Sequence, residues 1–260
     1  MKIATWNING VRARIDTLKT WLEQARPDVV CLQEIKTVDE GFPAAEIESL
    51  GFNLAVFGEK GFNGVAILSK IPLEDVSRGL PGAPDDLQAR YIEATVTAGP
   101  RAIRIASIYL PNGNPVGTPK FTYKLAWMER LTAHARALLA DEMPIVLAGD
   151  YNVIPEPRDA RHPENWIEDA LFQPQSRQAY RRLVNLGFTD ALRACRDEDR
   201  LYTFWDYQAG AWNKDNGIRI DHLLLSPQAA DLLQSTCIEK HVRGWDKPSD
   251  HVPIMIELAE

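Results

Sequence analysis

Pro144-Ile145-Val146-Leu147-Ala148-Gly149-Asp150-Tyr151-Asn152 is the stretch on which the reading of this chain turns. Four apolar residues behind a proline make a short, fully buried strand. It stops at Gly149, and the chain then presents a carboxylate, Asp150, and one position further along an amide, Asn152. In extended backbone, residues two apart point the same way, so both side chains face one spot. An acid and a neutral amide on a rigid strand tip can handle a water molecule and an anionic oxygen. Gly, Asp and Asn are also ordinary turn formers, and this stretch alone reads equally as a turn. Recurrence of the pattern elsewhere favours the functional reading.

Upstream, residues 2–6 form a strand that ends in Asn7, after which Val11, Ile15, Leu18, Leu22 and Ala25 keep helical spacing as far as Pro27. Residues 29–32 are a second buried strand, ending in Gln33-Glu34. Further strands fall at 62–69, 90–97 and 102–110, the last carrying Tyr109 ahead of a Pro/Gly/Asn loop at 111–115. Phe121, Leu125, Met128, Leu131, Leu138 and Leu139 mark a long amphipathic helix that leads into the central strand. Downstream, the polar, proline-rich residues 155–174 read as a long surface loop, a kind that is usually functional in a compact domain. Ser176 caps a helix that stops near Gly187. Strands at 202–205 and 218–225 flank an aromatic loop holding Trp212, and Ser249-Asp250-His251 precedes a final strand at 252–258.

Strands and helices mix irregularly, which predicts an α/β fold of two packed mixed sheets with helices outside. There is a coarse duplication about the long helix but no repeated sequence. No linker or composition shift divides the chain, so residues 1–260 are expected to form a single domain.

With 260 residues, 45% of them hydrophobic and 25% charged, the chain has the composition of a soluble globular protein with a sizeable core. Three cysteines, Cys31, Cys195 and Cys237, lie far apart and form no CxxC pair, so neither a disulfide framework nor a zinc site is indicated and a reduced, cytoplasmic setting is expected. No secretory signal or membrane span is apparent, and no membrane partner is expected. The formal net charge of −7 argues mildly against a nucleic-acid partner. Net charge says nothing of distribution, however, and an acidic cleft that holds a cation can bind phosphate through it.

Asn7, Glu34, Asp150, Asn152 and Asp250 all lie at or just beyond the end of an apolar strand. Strand ends of one sheet meet in space whatever their separation in sequence. The inventory is oxygen ligands without cysteine, which suits Mg²⁺ or Mn²⁺. Strand ends are solvated and polar in any case, which explains any one of the five but not all together. Asp221 differs, because it lies within an apolar strand and needs a partner there. Two are open: Arg219, two residues away on the same face, and His251, whose imidazole a carboxylate would orient and hold charged. The other histidines, His134, His162, His222 and His241, read as structural or surface residues.

Taken in order, Trp6-Asn7-Ile8-Asn9-Gly10-Val11-Arg12-Ala13, Leu32-Gln33-Glu34-Ile35-Lys36, Tyr109-Leu110-Pro111-Asn112-Gly113, Gly149-Asp150-Tyr151-Asn152, Arg219-Ile220-Asp221 and Ser249-Asp250-His251 resemble the signature blocks of the bacterial exonuclease III family of abasic-site endonucleases. That family belongs to a superfamily with inositol polyphosphate phosphatases, sphingomyelinases and deadenylases, and the resemblance spans essentially the whole chain. It implies a four-layer α/β sandwich with the site at one edge of two packed sheets. It also implies a Mg²⁺-dependent phosphodiesterase, with Mn²⁺ as a substitute, acting as a monomer on double-stranded DNA at abasic sites and 3′ ends.

On that resemblance Glu34 is the main metal ligand, with Asn7 and Asp250 beside it and Asp150, Asn152 and His251 also facing the metal. Asp150 orients and deprotonates the water, Asn152 donates to a non-bridging oxygen, His251 held by Asp221 binds the phosphate, and Tyr109 stabilises developing charge. Asn112 and Trp212 are expected to contact substrate, and Phe204, Ile218 and Ile220 to form a pocket for the bare sugar; by pattern alone those three are equally core residues. Asn9 stands where some relatives carry a metal-holding aspartate, and Ile218 where some carry a tryptophan. The loop at 115–119 is less basic than a DNA-contacting loop. A second reading is a superfamily relative acting on RNA, a lipid or a phosphoinositide, and a third is a DNA-binding protein without catalysis, against which the complete polar set argues.

Overall fold

The computed structural model describes residues 1–259 and contains two six-stranded mixed sheets. In chain order the strands are β1 (Lys2–Asn7), β2 (Val29–Gln33), β3 (Asn53–Phe57), β4 (Val65–Ser69), β5 (Leu73–Arg78), β6 (Tyr91–Ala98), β7 (Arg101–Tyr109), β8 (Ile145–Asp150), β9 (Thr189–Asp190), β10 (Asp221–Leu225), β11 (Leu233–Ile238) and β12 (Ile254–Leu258). The helices are α1 (Ile15–Ala25), α2 (Ala44–Glu48), α3 (Pro119–Leu139), α4 (Pro174–Val184), α5 (Ala191–Cys195) and α6 (Pro227–Ala230).

One sheet runs β11-β12-β1-β2-β4-β3 and the other β5-β6-β7-β8-β10-β9. Each is built on one parallel pair joined through a helix, β1-α1-β2 and β7-α3-β8, with antiparallel strands on either side. The two orders therefore match strand for strand. The coarse duplication lies in the topology, and the halves interleave because the last hairpin returns to the first sheet.

Alternation along the strands divides the apolar residues between three layers of core. Ile3, Val29, Cys31 and Ile67 of the first sheet meet Ile92, Ile105, Val146, Ala148 and Leu223 of the second. The outer face of the first sheet packs against α1 through Leu18, Trp21 and Leu22, and that of the second packs against α3 and α4 through Trp127, Met128, Tyr180 and Leu183. Each fully buried aliphatic side chain contributes about 1.5–3 kcal/mol. The result is the expected four-layer α/β sandwich. Among the described residues no helix is long and apolar enough to cross a membrane.

Several boundaries differ from the pattern. The strand expected from Phe62 starts at Val65, because Phe62 is 72% exposed in the preceding loop and Gly64 has φ +86°. Residues 202–205 form no regular strand, and the strand expected from Ile218 starts only at Asp221; between them run isolated bridges from Phe204 to Ile218 and to His251. Helix α4 starts at Pro174, so Ser176 lies inside it and donates to the Ala170 carbonyl instead of capping. All four edge strands, β3, β5, β9 and β11, are unanticipated; burial does not alternate cleanly along β5 and β11, and β9 is only two residues long.

Candidate active site

Strand register places Tyr109, Asp150 and Asp221 in one row across β7, β8 and β10. Gly149 permits this close pairing, since a Cβ there would lie 2.0 Å from the Ile108 carbonyl oxygen. The row ends the face that packs on the other sheet, where Asn7 closes β1 and Glu34 follows β2. Asn7 Nδ2 donates to Glu34 Oε1 and to Asp150 Oδ2, both at 2.9 Å, and so joins the tips of the two sheets. One layer deeper the buried Gln33 amide donates to Thr5 Oγ1 of its own sheet and to Ser107 Oγ of the other, each at 3.0 Å.

Of the two partners open to Asp221, the structure selects His251. Its Nδ1 lies 2.8 Å from Asp221 Oδ2, which also accepts from Thr203 Oγ1 at 2.6 Å. Arg219 turns away and pairs with Asp159 and Asp190. It stands in the irregular run before β10, where alternation fails. Burial opposes charge on the imidazole, but Asp221 and Asp150 outweigh it and push His251 up to about 10. His251 Nε2 faces Asp150 Oδ2 at 3.7 Å. Burial, helped by the Asp221 charge, raises the Asp150 carboxyl well above the usual carboxylate range.

On the other side of the cleft Glu34 Oε2 holds the Lys36 ammonium at 2.8 Å. Burial raises the Glu34 carboxyl, but Lys36 and Asn7 prevail and lower it, so Glu34 stays anionic. Asn9 accepts from Lys36 and donates to Asp250 Oδ1 at 3.0 Å. A cation thus already rests on Glu34, among oxygen donors from Asn7, Asn9 and Asp250. Asp150, Asp221 and His251 also bring ligand atoms within 4.8 Å of one another. Both Asp221 oxygens face the imidazole, however, so the Glu34 side is the better cation seat.

Asn152 has φ +46°; its Nδ2 donates to the Leu110 carbonyl at 2.9 Å and its Oδ1 accepts from Asn112 Nδ2 at 3.2 Å. The Tyr109 hydroxyl is held far above its ordinary pKa by burial and by the Glu34 and Asp150 charges, and Arg90 lies 4.9 Å over its ring. Ile218 and Ile220 are buried in a cluster with Ile154, Ala160 and Leu171 that Phe204 borders. The Phe204 ring stands edge-on to His251 at 5.0 Å, so this cluster abuts the dyad. Trp212 lies apart, packed on Trp205 at 5.1 Å, with Arg243 between it and Tyr207.

Residues 4–251 match the endonuclease/exonuclease/phosphatase family. The chain belongs to it. Exodeoxyribonuclease III of Haemophilus influenzae is 32% identical over 266 aligned positions, covering 99% of this chain and 100% of that protein. Among solved structures, a 3′ phosphatase from Neisseria bound to a product DNA hairpin superposes with a TM-score of 0.95 at 36% identity over 100% of both chains. An AP endonuclease from Archaeoglobus fulgidus superposes at 0.94, with 36% identity over 99% of both.

For a member of this family, several groups at the site carried no signal of their own in the sequence. Thr203, which braces Asp221, looks like any strand threonine. Tyr207 accepts from Asn9 Nδ2 at 3.2 Å and from Arg14 Nη2 at 3.0 Å, and donates to the Pro248 carbonyl at 2.9 Å. It lies in an exposed loop far along the chain from every one of them.

Proposed function

We propose that this chain is a Mg²⁺-dependent phosphodiesterase of duplex DNA, with Mn²⁺ able to substitute, that removes nucleotides from 3′ ends and incises 5′ to abasic sites. The observation that carries this is the ordered pair of His251 with Asp221 at 2.8 Å and Asp150 at 3.7 Å. It sets an imidazolium and a carboxylate of raised pKa side by side at the end of two sheets. The named relatives are an exodeoxyribonuclease, a 3′ phosphatase and an AP endonuclease. One site for a phosphate ester beside a 3′ carbon accommodates all three.

Glu34 would hold the metal, with Asn7 and Asp250 adjacent and Asp150, Asn152 and His251 facing it. When bound, the metal would supply Lewis-acid neutralisation of the phosphate. Asp150 orients a water and accepts its proton, for which a carboxyl raised towards neutrality is suited. His251 donates Nε2–H to a non-bridging oxygen while Asp221 holds the ring by Nδ1. Asn152 keeps a second N–H for the same group. Tyr109 remains protonated and donates to developing charge. Phe204, edge-on to His251 and backed by the buried Ile218 and Ile220, would offer an apolar contact to a sugar without its base, and extruding such a sugar costs less than flipping an intact nucleotide. Asn112 lies beside Asn152 at the cleft, where Arg14 and Arg90 supply cations despite the net charge of −7, and Trp212, set apart on Trp205, would reach substrate only beyond the reacting phosphate.

All these groups come from one chain, so a monomer suffices, and the return of β12 to pair with β1 supports a single unit over 1–260. The free thiols of Cys31, Cys195 and Cys237 support a reducing, cytoplasmic setting. The test is a Mg²⁺-dependent assay on an abasic duplex, a recessed 3′ end and a 3′-phosphate end, with RNA and an inositol phosphate alongside. Nicking of the abasic duplex and digestion of the recessed end are expected. Turnover of the RNA or the inositol phosphate alone would reject the DNA reading.

A further inference from the structure

Lys124 stands on the buried stripe of α3 with Phe121, Met128 and Leu131, and is itself fully buried. An ammonium in that position is costly unless it is fully engaged. Its Nζ donates to the main-chain oxygens of Asn112 at 3.0 Å and Asn152 at 2.5 Å, just beyond the ends of β7 and β8. Burial lowers Lys124 to about 7, with Asp150 and Asp169 working the other way. Charged or neutral, the nitrogen keeps at least two N–H donors, so both carbonyls are held in either form.

The surroundings are shaped to this contact. A Cβ on Gly113 would lie 2.5 Å from Lys124 Cδ, so the loop after β7 closes directly on the lysine stem. Asn152 sits in the left-handed region at φ +46°, which asparagine adopts more readily than most residues, and its neighbours hold it there. The ammonium grips the carbonyl of that residue, while Asn112 Nδ2 and the Leu110 carbonyl fix its amide. Asn114, in the same loop, is latched to Asp169 and to the Ala170 N–H, each at 3.0 Å.

We propose that Lys124 is a positioning residue, which acts through the main chain of Asn152 to aim the Asn152 amide at the reacting phosphate. This rests on the role given to Asn152 above. A side chain needed only for packing would be apolar here, as its neighbours on the stripe are.

The test is a double-mutant cycle of Lys124→Met and Asn152→Ala, measuring kcat and KM for nucleotide release from a recessed 3′ end, with thermal melts to establish folding. Lys124→Met is expected to lower kcat about 10- to 100-fold with KM within about 3-fold. The double variant is expected to be no slower than Asn152→Ala alone, because both changes disable the same group. If Lys124→Met does not fold, Lys124→Gln, which retains an N–H donor, is taken round the same cycle with a smaller loss expected. A near-normal kcat beside an impaired Asn152→Ala overturns this proposal alone, as does multiplication of the two losses in the double variant. A near-normal Asn152→Ala overturns both the proposal and the role of Asn152.

Discussion

The two faces of β10 where it begins carry similar charged groups and use them differently. On the face towards the other sheet, Asp221 holds His251, and Asp150 stands beyond it. On the helix side, Arg219 donates to Asp159 at 2.7 and 3.1 Å, to Asp190 at 2.7 Å, and contacts His222 at 3.0 Å. Arg193 completes Asp159 at 2.6 Å. The helix-side cluster is closed, with permanent guanidinium cations facing two carboxylates that they hold below their usual range against burial. The inner cluster is unsaturated: its cation is a titratable ring with one nitrogen committed and the other aimed into the cleft. Carboxylates around a saturated guanidinium are glue. Around an imidazole with a free N–H they become machinery.

The sharpest way to break that contrast is Asp221→Asn. The amide keeps the shape but not the charge, and turnover on an abasic duplex should fall about 10²- to 10⁴-fold with DNA binding little changed. Near-normal turnover would mean that His251 acts without its carboxylate. On the opposite face, Arg219→Met leaves the largely buried Asp190 without its guanidinium and Asp159 with Arg193 alone, and urea unfolding should register a loss of about 3–5 kcal/mol. Its kcat per folded molecule should stay within about 3-fold of wild type; a collapse of kcat would make the two clusters one functional unit.

Smaller effects sharpen the comparison. Chelation should abolish activity and Mg²⁺ or Mn²⁺ restore it, and Glu34→Ala should raise the Mg²⁺ needed for half-maximal rate about 10- to 100-fold. An unchanged Mg²⁺ response would move the principal ligand elsewhere. The smallest signal is in the pH dependence of stability, read by denaturant unfolding in the presence of a chelator. Burial and Arg219 lower His222 to about 4, so it folds neutral; its contribution is full above about 6.5 and is lost as pH falls towards 4. His251 is raised to about 10, so its contribution is full below about 6.5 and is lost as pH rises through 10. His222→Gln should flatten the acid limb and His251→Gln the alkaline one. Both variants altering the same limb would contradict the opposite environments.

Legibility in the sequence followed the physics of each region. Strands buried on both faces, such as β2 and β8, announce themselves as apolar runs, and the polar residues at their tips follow directly. Edge strands β5 and β11 carry no such run and β9 is too short for one, so the pattern does not reveal them. Asp221 was recognisable as a buried acid, but not its partner, because Arg219 precedes the regular strand and alternation does not govern it. Asp159 lies in a stretch that reads as a surface loop, yet it is fully buried, because two arginines distant in sequence draw it in. Lys124 did leave a trace, a charged residue at apolar helical spacing. Its meaning required knowing which carbonyls it meets.

Each sheet supplies half of the cleft, so what the site tolerates depends on how far one sheet can slip over the other. Apolar packing resists separation but has little sense of direction, whereas a hydrogen bond has both length and angle. Gln33 bonds to Thr5 on its own sheet and Ser107 on the other one layer behind Asn7, and so works as the rivet of a pair of pliers set close behind the jaws. A rivet there leaves the jaws almost no play. Slack between the sheets is expected to collect at the handles, in the open groove between Met1 and Ala98, where the alignment of reacting atoms is not at stake.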